Sequence, residues 1–93
     1  MTIQILLPTP LQPYAGKKDS VTIENAETVG EALNHLMTQY KDLRRHLFDE
    51  KGNVRSFVNV FIGENDIRHL QGLQTKVKSG DELMIIPSVA GGY

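Results

Sequence analysis

Thr28-Val29-Gly30-Glu31-Ala32-Leu33-Asn34-His35-Leu36-Met37-Thr38-Gln39-Tyr40 is the stretch on which the fold of this chain turns. Val29, Ala32, Leu33, Leu36, Met37 and Tyr40 recur at spacings of three and four, which places them on one face of an α-helix. Thr28 and Glu31 fit a capping box, in which the threonine accepts from one backbone N–H and the glutamate reaches back to another. At 1.5 Å per residue, Thr28 to Tyr40 makes about 20 Å of helix. The apolar stripe is a core face and demands no ligand, while His35 falls on its flank.

On both sides of this helix the period changes from 3.6 to 2. Upstream, Ile3, Ile5 and Leu7 alternate with Thr2, Gln4 and Leu6, a strand that Pro8 and Pro10 end because proline lacks a ladder donor. Residues 8–18 hold three prolines and Gly16 and read as a loop. Ser20 to Glu24 reads as a second strand, with Val21 and Ile23 on one face, completing a hairpin with the first. Downstream, residues 41–55 are polar but contain Leu43, Leu47 and Phe48, and a short second helix would lay these against the domain. Lys51-Gly52-Asn53 marks a turn. Phe57-Val58-Asn59-Val60-Phe61-Ile62, rich in β-branched and aromatic residues, reads as a central strand. Gly63 to Asp66 is a turn, and Ile67 to Val77 is irregular around Gly72, with room for one short strand. After the Ser79-Gly80-Asp81 turn, Leu83 to Pro87 forms the last strand. The order is strand, strand, helix, strand, strand. One helix crossing one face of a mixed sheet is an α+β layer solution. This order is that of the β-grasp, or ubiquitin-like, arrangement, with the last strand beside the first. We assign 1–88 to that domain and 89–93 to a flexible tail.

Composition narrows the function. The 93 residues fit one domain and are too few for a deep two-lobed cleft. Ten Lys+Arg against eleven Asp+Glu leave a net charge of -1, so no nucleic-acid footprint is expected. The densest basic stretch, Lys41, Arg44, Arg45 and His46, is interrupted by Asp42 and reads as a solvated face. No cysteine is present, which excludes disulfides, thiolate zinc sites and cysteine nucleophiles. The N-terminus has no basic region and too short an apolar run for a signal peptide. Nothing approaches a membrane span of about 20 apolar residues. A cytoplasmic, monomeric protein without membrane contact is expected. Glu64, Asp66 and His69 lie close in sequence but follow no metal-ligand spacing, so no metal site is expected. Ser20, Ser56, Ser79 and Ser88 have no suggestive His and Asp partners, and self-contained hydrolysis is not expected.

Two features point outward from the fold. The last strand is apolar on both faces: with Leu83 and Ile85 turned to the helix, Met84 and Ile86 turn away. The outer side of the sheet would then carry Leu6, Phe57, Phe61, Met84 and Ile86. Such a patch is either a partner surface or is covered by residues 8–18 or 41–55. The other feature is Gly91-Gly92-Tyr93. Two glycines make a thin tail that can thread a narrow channel and present a carboxylate to another enzyme. A carboxylate is a poor acyl donor until adenylation makes it a mixed anhydride. The chain contains no Gly-x-x-x-x-Gly-Lys-Ser/Thr loop to do this itself, so activation would come from a partner.

The chain resembles the ThiS/MoaD sulfur-carrier family, and most of all its CysO-type branch. The likeness rests on Ile5 to Leu11, Pro13 to Gly16, Phe57 to Ile62, Asp66-Ile67-Arg68, Gly72-Leu73, Gly80-Asp81-Glu82 and Ile85 through Gly92. The resemblance implies that an E1-like adenylyltransferase activates Gly92, with Gly91 its slender neighbour, and that sulfur replaces AMP as a thiocarboxylate. It implies docking through Ile86, Val89 and Ala90, together with Phe61 and Met84. It further implies sulfur transfer to activated serine on a PLP-dependent synthase, with cysteine released by a zinc metallopeptidase. ATP, zinc and PLP would serve the partners, with no cofactor on this chain and no catalytic residue. Carriers of this type end at the second glycine, and Tyr93 departs from that pattern. A precursor cut between Gly92 and Tyr93 by a JAMM-type peptidase would reconcile the two. The alternatives are a modifier joined to lysines, a regulatory module with a blocked tail, or a carrier for the molybdopterin or thiamine pathway.

Overall fold

The computed structural model describes residues 2–56 and 58–87. β1 (Thr2–Leu6) and β2 (Ser20–Glu24) form the antiparallel hairpin, with Thr2 opposite Glu24 and Leu6 opposite Ser20. The helix α1 (Val29–Gln39) follows, then the short α2 (Arg44–Leu47), β3 (Val58–Ile62), β4 (Asn65–Asp66) and β5 (Glu82–Pro87). The five strands form one mixed sheet in the order β2-β1-β5-β3-β4. β5 runs parallel to β1 and antiparallel to β3, so the last strand in sequence occupies the middle of the sheet.

The alternation read from the sequence decides the core. Ile3, Ile5, Leu7, Val21, Ile23, Val58, Val60, Leu83 and Ile85 turn to one side and join Val29, Ala32, Leu33, Leu36 and Met37 of α1 in one buried cluster. Each large apolar side chain buried there contributes about 1.5–3 kcal/mol of transfer free energy. Thr28 caps α1, its Oγ1 accepting from the Glu31 N–H at 3.1 Å. The glutamate also reaches back to a backbone N–H as expected. Glu31 Oε1 accepts from the N–H of Glu27 at 2.8 Å, one residue before the cap. The first turn is also bound by the chain beyond β4: the N–H of Val29 donates to Thr75 at 2.9 Å and that of Val77 donates to Glu27 at 3.0 Å. This pairing, with Thr28 bridged to Lys76, is what remains of the short strand expected between 67 and 77. The rest of that segment is two 3-10 turns, Ile67–His69 and Gly72–Gln74.

Residues 8–18 are more ordered than a loop. Thr9–Ala15 is a 3-10 helix that buries Leu11 and Ala15 and ends on Gly16 in the left-handed region. Pro10 and Pro13 lack the donors for a regular helix yet tolerate its φ, and the four-residue spacing of Leu11 and Ala15 supplies the buried side. The 41–55 segment behaves as expected: Leu43, Leu47 and Phe48 are all buried in the core cluster.

Candidate functional site

The site is built on β5. Leu83 and Ile85 are 0% and 1% exposed, whereas Met84 and Ile86 are each 39% exposed. The registers place Met84 between Leu6 of β1 and Phe61 of β3. Leu6 in turn pairs with Ser20, and Phe61 with Asp66. Paired residues share a face, so a single row crosses all five strands: Ser20, Leu6, Met84, Phe61, Asp66. Its three middle members are apolar. Ile86 lies one step further along β5, opposite Asn59. Of the two coverings considered from the sequence, neither is found. The 3-10 helix Thr9–Ala15 and the 41–55 segment send Leu11, Ala15, Leu43, Leu47 and Phe48 into the core on the α1 side. Among the described residues the outer row is uncovered.

Phe61, Met84 and Ile86 are therefore brought together on one face. Val89, Ala90, Gly91, Gly92 and Tyr93, and also Phe57, lie outside the described residues. The sequence continues from Pro87 of β5 through Ser88 directly into these tail residues.

Asp66 and Arg68 border the row, and sequence reasoning did not single out their pairing. The Asp66 carboxylate accepts from the Arg68 guanidinium at 3.2 Å (Nε to Oδ1) and 2.8 Å (Nη2 to Oδ2), and from the Arg68 backbone N–H at 2.9 Å. These charge-assisted bonds from Arg68 hold the Asp66 carboxyl down to about 2, from an ordinary 3.8. Arg68 Nη2 also donates to Oδ1 of Asn59. The sequence signal was Asp66-Ile67-Arg68, one residue after the Gly63-Glu64 turn. Reading it required the register of β3 on β4, which that turn sets: Ile62 pairs with Asn65 and Gly63 adopts φ 60° at the first turn position. Asp66 thus has a cationic partner already, and among the described residues no three His, Asp or Glu side chains gather to hold a metal.

Two other features lie outside the row. A cleft of about 270 Å³ opens between β3 and the 67–74 segment, lined by Val58, Val60, Ile67 and Leu73 and reaching Asp66 and Arg68 at the border of the row. The basic stretch meets the 3-10 helix Thr9–Ala15: the His46 ring lies 4.2 Å from that of Tyr14, and the Arg45 guanidinium 6.0 Å from the same ring. Arg55 Nε donates to the Arg45 carbonyl at 2.8 Å. These residues stitch two surface segments together. No helix among the described residues is long and apolar enough to cross a membrane.

The mixed sheet with β5 at its middle, one crossing helix and an uncovered outer row define a β-grasp, ubiquitin-like protein. The chain belongs to the ThiS family, whose sequence profile matches residues 5–92. That match includes Gly91 and Gly92 and stops before Tyr93. The sulfur carrier protein CysO of Mycobacterium tuberculosis is 33% identical over 99% of this chain and 100% of its own length. A chain of the crystal structure of the Amycolatopsis orientalis BexX/CysO complex superposes with a TM-score of 0.86, at 32% identity, covering 97% of this chain and 99% of that one. Small archaeal modifier protein 3 of Haloferax volcanii is 34% identical over 75% of this chain and 75% of its own.

Proposed function

We propose that this chain is a sulfur carrier protein whose reacting group is the carboxyl of Gly92. One observation carries the reading: the family match runs through Gly91-Gly92, which follow in sequence from the strand bearing the uncovered Met84 and Ile86. The near full-length likeness to CysO supports it. The chain acts as a cosubstrate, with catalysis residing in its partners.

The chemistry starts with the Gly92–Tyr93 peptide bond, because an amide carbonyl cannot be adenylated as an acid can. Hydrolysis of that bond by a JAMM-type zinc peptidase frees the Gly92 carboxylate. An E1-like adenylyltransferase joins it to the α-phosphate of ATP, releasing pyrophosphate and leaving a mixed anhydride. A sulfur nucleophile then attacks the acyl carbon, AMP departs with the electron pair, and the product is a thiocarboxylate. The partner docks on Phe61, Met84 and Ile86, and on Val89 and Ala90, which follow β5 in sequence. Contiguous apolar surface of this kind is stabilised by removal from water. In the CysO-type pathway the thiocarboxylate sulfur takes the place of the leaving group of an activated serine on a PLP-dependent synthase. The resulting thioester passes its acyl group to the amine of the same amino acid, and hydrolysis of that new peptide bond releases cysteine. The BexX/CysO complex supports partner docking by a fold of this kind.

Intact-protein mass spectrometry of the chain from its native cells tests this. Loss of Tyr93, with a fraction heavier by the oxygen-to-sulfur difference, is the expected result. A uniform mass that retains Tyr93 would sink the carrier and leave a module with a blocked tail. A second reading, attachment to lysines, is favoured by the likeness to small archaeal modifier protein 3. Isopeptide adducts ending in Gly92, without thiocarboxylate, would establish it instead.

A further inference from the structure

We infer that Arg68, held rigid by Asp66 and Asn59, is the polar specificity contact of the docking face and takes a neutral carbonyl oxygen of the partner. This rests on the docking surface proposed above and names what lies at its edge. Three side chains converge there. Asp66 is directly paired with Phe61, and Asn59 with Ile86, so both members of the pair that holds Arg68 stand beside an apolar residue of the outer face, Phe61 in the row and Ile86 one step along it. Arg68 spans them: Nε and Nη2 face the Asp66 carboxylate side-on, and Nη2 bonds Asn59 as well. The Arg68 side chain is nevertheless 58% exposed, while Asp66 is 12% exposed. Nη1 has no acceptor among the described residues.

The arrangement is poorly explained by stability. Exposed ion pairs are worth about 0–1 kcal/mol, and ordering a long arginine side chain opposes even that. Its consequence is a guanidinium fixed in plane and position before any partner arrives. Protein interfaces have an apolar centre ringed by polar contacts, and arginine is enriched among their strongest contributors. Preorganisation adds to affinity because the ordering cost is met in the free protein.

The charge of the group selects the acceptor. Asp66 already neutralises Arg68, so what remains is a directed pair of N–H donors with little net charge. A partner carboxylate would be attracted by Arg68 and repelled by Asp66 at nearly the same distance. A main-chain or amide carbonyl meets the donors without that repulsion. Lysine could not substitute, since its ammonium has no fixed plane with which to hold Asp66, Asn59 and an outside oxygen together.

The test is calorimetric titration of the chain ending at Gly92 against the E1-like adenylating enzyme of its own cells, with Phe61→Ala, Arg68→Ala, Arg68→Lys and Asp66→Asn variants. Thermal unfolding of each free variant is measured alongside. We expect Arg68→Ala and Arg68→Lys each to weaken binding about tenfold, a change of about 1.4 kcal/mol, at low and at high salt alike. Asp66→Asn, which keeps the guanidinium but loosens it, should weaken binding with Arg68 still present. Unfolding temperatures of the arginine variants should stay near that of the parent, which separates recognition from structure. Unchanged binding by both arginine variants, with Phe61→Ala weakened, would overturn the inference and leave the docking face standing. Weakened arginine variants with unaffected Phe61→Ala would keep the contact and remove the apolar docking surface. A loss confined to low salt would show a carboxylate acceptor and overturn the neutral one.

Discussion

The Asp66 carboxyl, held down to about 2 by the Arg68 side chain and then by the Arg68 backbone N–H, links one residue to the acid stability of the whole chain. A carboxyl whose folded value lies below its unfolded one contributes stability that is complete above the unfolded value and disappears as pH falls through the folded one. In that window the unfolded chain binds the extra proton, so stability rises with pH. Asp66→Asn should therefore be slightly less stable than the parent above pH 3.8, by no more than the roughly 1 kcal/mol of an exposed ion pair, with the difference closing towards pH 2. Urea unfolding across that range checks it, and a gap independent of pH would mean that the pair contributes nothing. Gly30 poses a steric question at the same scale. A Cβ built there would lie 3.1 Å from the Leu73 carbonyl oxygen and 3.3 Å from its Cβ. Alanine gains about 1 kcal/mol of helix propensity over glycine, which offsets much of the crowding. Valine adds bulk without that offset, and overpacking of this kind costs about 1–3 kcal/mol. Denaturant titration should find Gly30→Val clearly destabilised and Gly30→Ala near the parent. The sequence marked Thr28 and Glu31 as a cap because a cap is local. It was silent on Gly30, whose neighbour Leu73 is more than forty residues away and is placed only by tertiary packing.

At the scale of the element, β5 is the strand on which both structure and proposed function depend, and its two faces separate them. Ile85 is 1% exposed in the core and Ile86 is 39% exposed on the outer face. Truncating a buried isoleucine to alanine costs about 2–5 kcal/mol through lost transfer energy and the cavity left behind. Ile86→Ala leaves no cavity and should change stability by about 0.5 kcal/mol or less. Its effect belongs on partner binding, where Ile85→Ala should act only through unfolding. Chemical denaturation of both variants, beside binding of the adenylating partner, distinguishes the faces. Equal destabilisation by the two would mean that the outer face is packed after all. The two-faced character of this strand was legible because Leu83, Met84, Ile85 and Ile86 are apolar without interruption. The loop read at 8–18 was not resolved into a 3-10 helix, since proline marks irregularity and helix initiation alike. The Asp66–Arg68–Asn59 contact was hidden for another reason: it forms across two strands and depends on their register, which a turn of two residues decides.

At the scale of the molecule, the position of β5 decides what the sequence leading to the tail is joined to. β1 and β2 form one antiparallel hairpin, β3 and β4 another, and only β5 joins them in the sheet. The element order led to the expectation of the last strand beside the first but not to the full order of the sheet, and the parallel pairing of β5 with β1 is itself a long-range contact that no local pattern encodes. Such a contact costs loop-closure entropy and is rewarded only when the whole core forms. The segment leading to Gly91-Gly92 is thus attached to the strand whose loss would divide the fold. Removing residues 82–93 should leave two hairpins without a shared core, and such isolated hairpins are at best marginally stable in water. Removing 88–93 deletes no residue of the described sheet or of the buried cluster. We therefore expect the chain cut after Pro87 to unfold cooperatively with a midpoint close to that of the full chain, and the chain cut after Asp81 to show no cooperative transition. Circular dichroism against temperature, with amide dispersion in a proton–nitrogen spectrum, measures both. Cooperative folding without β5 would show that α1 and the first hairpin suffice, and would detach the tail from the core. Loss of folding on removal of 88–93 alone would mean that the tail belongs to the domain, which is incompatible with surrendering Gly92 to a partner's active site.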